Sequence, residues 1–94
     1  MNSDVPDLLA MARDELERAL SLGWRALAPV TPWGDSFEGF TPAGRAVTVE
    51  RAYLWQDAPQ GDILCEVVVF GGQSRYDAGE KVSAVIPREG GTRP

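Results

Sequence analysis

Arg51, Cys65, the carboxylates Glu50 and Glu66, and the run Gly71-Gly72-Gln73-Ser74-Arg75-Tyr76-Asp77 are the residues whose types could do chemistry in this chain. Arg51 falls in RAVTVERAYLWQ, where strand alternation places it on one face with Val47, Val49, Tyr53 and Trp55. An unpaired guanidinium costs several kcal/mol to bury, so it must reach solvent, meet a carboxylate, or meet an anionic ligand. The plain reading is a rim position, with the stem packed on Tyr53 and the charge in water. A ligand carboxylate or phosphate, or a salt bridge within or between subunits, are the alternatives.

Cys65 sits inside DILCEVVVF, the most apolar segment. A reactive thiolate needs a neighbouring cation or base and partial exposure, and a mid-strand position among Leu64, Val67 and Val68 suits a small core residue instead. The run at residues 71 to 77 could turn backbone N–H groups toward an anion, with Arg75 and Tyr76 beside it. Adjacent glycines are equally what a tight connection between strands uses. Glu50 and Glu66 flank Ala52 on the second face of the same strands and read as solvated.

No histidine occurs among the 94 residues, and there is one cysteine. These counts exclude Cys/His zinc sites, histidine-based triads, histidine pH switches and an internal disulfide. No acidic loop has calcium spacing, so no metal and no cofactor are expected. With 14 acidic against 9 basic residues the net charge is -5, which favours solubility and opposes binding to nucleic acid or to anionic membranes. The N-terminus has no basic region followed by an apolar run, and no stretch approaches the roughly 20 apolar residues of a membrane span, so a cytoplasmic location is expected. Arginine outnumbers lysine eight to one, a bias of GC-rich bacterial genomes.

Residues 4 to 22 are the clearest element. Ser3 or Asp4 can cap a helix there, and Gly23 can end it. Val5, Leu8, Leu9, Ala12, Leu16, Ala19 and Leu20 share one face, with Asp7, Arg13, Asp14, Glu15, Glu17 and Arg18 mostly opposite. WRALAPV, residues 24 to 30, alternates like a short edge strand, the one place in a sheet that tolerates Pro29. Residues 45 to 56 and 62 to 70 are rich in β-branched and aromatic types and are separated by DAPQG, which predicts an antiparallel hairpin. Pairing Gln56 with Asp62 sets Trp55 opposite Ile63, Tyr53 opposite Cys65, Arg51 opposite Val67 and Val49 opposite Val69. EKVSAVI, residues 80 to 86, is a further strand, and residues 88 to 94 form a flexible tail.

The order is that of an α+β domain spanning residues 1 to 94: an amphipathic helix on a curled antiparallel sheet of three to four strands. It is similar to the αββββ order of cystatin-like and cone-shaped folds, a likeness of element order only. A small β-barrel with a helical lid is the alternative.

TPWGDSFEGFTPAG, residues 31 to 44, reads as irregular chain that nevertheless carries Trp33, Phe37 and Phe40. Long structureless loops are uncommon in compact domains, and three large aromatics argue for a loop docked over the sheet. It then either plugs the core or covers a pocket for a small apolar or anionic ligand, with Arg51 and Tyr53 beneath it, Trp55 on the same face of the sheet, and Asp35 or Glu38 of the loop itself as acidic candidates. Three functions compete. The first is a non-enzymatic binding or interaction module, self-associating as a homodimer because a domain this small has little stability to spare. The second is a small-molecule-binding protein, or a minimal enzyme using carboxylates, with its pocket under residues 31 to 44. The third is an acidic accessory protein of a phage or mobile element.

Overall fold

The computed structural model describes residues 4–71 and 79–88. Ser3, the side chains of residues 4 to 6, Arg75, Tyr76 and residues 89 to 94 lie outside the described residues. The chain forms a helix α1 (Asp4–Leu27), a 3-10 turn (Ala28–Val30), and strands β1 (Trp33–Phe40), β2 (Ala46–Trp55), β3 (Ile63–Phe70) and β4 (Gly79–Ile86). The strands form one antiparallel sheet in the order β1-β2-β3-β4. The α+β order αββββ thus holds. The sheet is open rather than a closed barrel, with β1 and β4 as its two edges.

Leu8, Ala12, Leu16 and Ala19 recur at helical spacing and are buried, which makes their stripe the face that α1 turns to the sheet. They meet Val47, Val49 and Tyr53 of β2 and Ile63, Cys65, Val67 and Val69 of β3. α1 lies over β3 and β4. The helix-side face of β1 therefore runs beside the helix, not beneath its centre.

The hairpin of β2 and β3 has the register that its alternation dictates: Trp55 opposite Ile63, Tyr53 opposite Cys65, Arg51 opposite Val67 and Val49 opposite Val69. Gln56 N–H donates to the Asp62 carbonyl at 2.9 Å, closing the connection, in which Gln60 takes a positive φ of 69°.

Two segments differ from expectation. Residues 24 to 30 are not an edge strand. Gly23 does break the helix, with φ 83° and ψ 168°, but the chain then resumes a helical course to Leu27. Trp24, Leu27 and Ala28 also stand at helical spacing, and seven residues are too few for periodicity to separate the two possibilities. Burial decides: Leu27 and Ala28 enter the core. The end is closed by Thr31, whose N–H and hydroxyl both donate to the Leu27 carbonyl, at 3.0 and 2.8 Å.

Residues 31 to 44 are not a covering loop either, because residues 33 to 40 are strand β1, paired along its length with β2. Gly34, Asp35, Ser36 and Gly39 are poor strand formers alone, but ladder pairing and side-chain neighbours override so weak a preference. Gly34 suits the close pairing: a Cβ there would stand 3.2 Å from the Arg51 carbonyl oxygen, so a larger residue would have to push the strands slightly apart.

Trp24 fastens the end of α1 to the hairpin. Its indole Nε1–H donates to the Gly61 carbonyl at 2.8 Å, and the Arg88 guanidinium lies 5.7 Å from its ring centroid. Arg88, the first residue of the expected tail, is itself tied, its N–H donating to Asp62 Oδ1 at 2.9 Å. Trp24→Phe keeps the packing and removes the donor. It should lower unfolding stability by about 1 kcal/mol, read from the urea midpoint at unchanged slope.

Candidate functional site

Alternation along β1 divides its side chains. Trp33, Asp35, Phe37 and Gly39 share the helix side of the sheet; Gly34, Ser36, Glu38 and Phe40 share the outer side. The register sets Asp35 opposite Arg51, and their side chains meet as a fork: Nε to Oδ1 at 2.9 Å and Nη2 to Oδ2 at 2.5 Å. This is the bidentate geometry in which a guanidinium and a carboxylate bind most strongly. Arg51 Nη1 also lies 3.5 Å from Glu15 Oε1 on α1, and Arg18 reaches the other oxygen of Glu15 at 3.1 Å.

The aromatics complete the enclosure. The Arg51 guanidinium carbon stands 5.2 Å from the Trp33 ring centroid and 4.8 Å from that of Phe37. Trp33 in turn stacks on Tyr53, centroids 4.9 Å apart and planes at 27°. The hydrogen bond from Arg51 holds the Asp35 carboxyl below its ordinary value, and the same bond raises Arg51 further above its own. Burial pushes the Tyr53 phenol up.

An open groove of ≈ 470 Å³ runs between α1 and this cluster, lined by Glu15, Arg18, Leu22, Phe37, Arg51 and Tyr53 among others. Its size suits a small ligand. Its charge does not single one out, because both cations already face carboxylates.

On the opposite side of the sheet a second depression, of ≈ 450 Å³, is floored by Gly34, Ser36 and Ala52 and flanked by Glu50, Glu66 and Val68. It exists because neighbouring positions on β1 and β2 carry the smallest side chains. Lys81 approaches Glu66 at 3.4 Å.

Of the residues that the sequence marks as candidates, Trp33, Phe37, Arg51 and Tyr53 come together. Trp55 lies further along the same face, half-buried against the core. Phe40 lies on the outer side, 69% exposed. Arg75 and Tyr76 are outside the described residues. Glu15 is not among those candidates, since its flanking charges assign it to the polar face of the helix. Gly34 and Ala52 carry no chemistry of their own, and only the register shows that they adjoin. Cys65 is fully buried, with its thiol pushed up by burial, which suits packing and not nucleophilic attack. Among the described residues no group of acidic or sulfur side chains could hold a metal ion, and no helix is long and apolar enough to cross a membrane.

No protein-family model matches the chain, and no curated protein or solved structure is significantly similar to it. The molecule is an open αββββ domain, and its function must be read from its surfaces.

Proposed function

We propose that this protein is a non-enzymatic interaction module that self-associates along the flank formed by α1 and strand β1. The observation that carries the reading is the state of the β1 edge. Eight residues present a row of backbone N–H and C=O groups with no strand beyond them among the described residues. Such edges are templates for another strand unless proline, charged side chains, a bulge or a cover blunts them. β1 contains neither proline nor lysine, and one of its two acids, Asp35, is taken up by Arg51.

Apolar surface borders the same edge. Leu22 is 57% exposed, Phe37 37% and Phe40 69%. A pocket beneath residues 31 to 44 has no cover to form it, since that segment is part of the sheet, and Arg51 is already paired. The groove thus gives less support to a small-ligand function than the edge gives to association.

Sedimentation velocity from low to high micromolar concentration tests the reading. The expected result is conversion to twice the chain's mass, and a tighter dimer at higher salt, because two chains of charge -5 repel and salt screens that repulsion. A chain that stays monomeric at the highest concentration would overturn it.

A further inference from the structure

Resting on that reading, we infer that the occupant of the β1 edge is the β1 strand of a second copy, antiparallel, with the two-fold axis at Phe37 and Phe40 of each copy seated in the Gly34 depression of the other. Extending the sheet with both helices on one side requires that opposed residues share a face. The axis must then coincide with a residue position in the middle of β1, and Asp35, Ser36, Phe37 and Glu38 are the choices.

Asp35 and Glu38 as centres set a carboxylate directly opposite its own copy, which destabilises an antiparallel pair. A centre at Ser36 sets Gly34 opposite Glu38 and leaves Phe40 beyond the end of the opposing strand. Only the centre at Phe37 sets Phe40 opposite Gly34. It also sets Ser36 opposite Glu38, a hydroxyl donor facing a carboxylate acceptor, and Asp35 opposite Gly39.

The shape of the outer face agrees. Gly34, Ser36 and Ala52 floor a depression of ≈ 450 Å³, and Phe40, on the same side of the same strand, is the most exposed of the large hydrophobic residues described. An aromatic laid across a strand glycine shields backbone that the glycine leaves bare. Each copy therefore supplies one projection and one hollow, as a two-fold interface requires. On the helix side the same axis brings Phe37 against Phe37 of the second copy.

Disulfide trapping with the full chain tests the register. Ser36 and Glu38 are both exposed, so Ser36→Cys and Glu38→Cys leave the fold intact. Opposed residues have Cα atoms about 4.5 to 5.5 Å apart, within disulfide range, whereas two copies of Ser36 would be offset by two residues and beyond it. Mixing the two variants under mild oxidation should give most of the protein as a heterodimer disulfide-linked from position 36 of one copy to position 38 of the other, mapped by mass spectrometry of peptides. Each variant alone should give at least tenfold less. A dimer by sedimentation that crosslinks through Ser36→Cys alone, or not at all, would overturn this geometry while leaving self-association standing. A monomer throughout would overturn both.

Discussion

Arg51→Met should lower unfolding stability by about 2 to 3 kcal/mol at neutral pH, measured by urea denaturation. The substitution keeps an apolar stem and removes the guanidinium, with its place over the Trp33 and Phe37 rings, so the loss reports the charged head. It leaves Asp35 and Glu15 without the guanidinium that faces them at 2.9 and 3.5 Å. The pair is part-exposed, 28% for the Arg51 side chain and 33% for Asp35, which keeps the cost below that of a fully buried ion pair. Asp35→Asn removes one partner and should cost less than Arg51→Met. The double variant should cost less than the two singles added, with a coupling of about 1 kcal/mol.

Acid should narrow the gap between wild type and Arg51→Met. The folded-state value of Asp35 is depressed by Arg51 below the roughly 3.9 of an unfolded aspartate. Its contribution is therefore present in full above the unfolded value and disappears as pH falls through the folded one. Wild type loses that contribution on acidification, and Arg51→Met has little of it to lose. No alkaline counterpart should appear, because Arg51 is moved further above an already high value.

How much of this was legible in the sequence depended on whether a residue's environment was local. The register of β2 and β3 was readable because both segments alternate strongly, carry β-branched residues, and are joined by a short connection rich in turn formers. Placing Arg51 on the apolar face followed from that register, although the plain reading there is a rim position with the charge in water rather than paired. The identity of the counter-charge did not, because Asp35 lies in WGDSFEGF, whose glycines and serine hide a strand that exists through its ladder to β2. Glu15 was hidden similarly: helical position is local, but which polar residue leans toward the sheet depends on where α1 lies across it.

The aromatics of residues 31 to 44 show the same limit from the other side. Read as loop residues, Trp33, Phe37 and Phe40 form one group with one task. In a strand their numbering separates them, since Trp33 and Phe37 share a parity and Phe40 does not. The first two enclose Arg51 on the helix side, and the third stands in solvent on the outer side. A large exposed aromatic that contributes nothing to its own core is the kind of residue that interfaces use as an anchor.

Phe40→Asp should consequently weaken dimerisation about 100-fold, or about 2.7 kcal/mol, while leaving the monomer's stability within about 0.5 kcal/mol of wild type. Withdrawing both phenyl rings, one from the hollow over Gly34 and Ala52 of each copy, accounts for about 2 kcal/mol of apolar burial, about 1 kcal/mol for each partly buried ring. The remainder comes from holding a new carboxylate at a hollow that Glu50 and Glu66 of the other copy flank, Glu66 being partly offset by Lys81. Phe40→Leu, which keeps an apolar group of smaller size, should lose about tenfold, and Phe40→Asp should recover part of its loss at high salt as the added repulsion is screened. Sedimentation equilibrium of the three proteins, with urea denaturation beside it, separates the two effects. Equal dissociation constants for Phe40→Asp and wild type would remove Phe40 from the interface, because a residue already 69% exposed has no packing of its own through which a compensating change could arise.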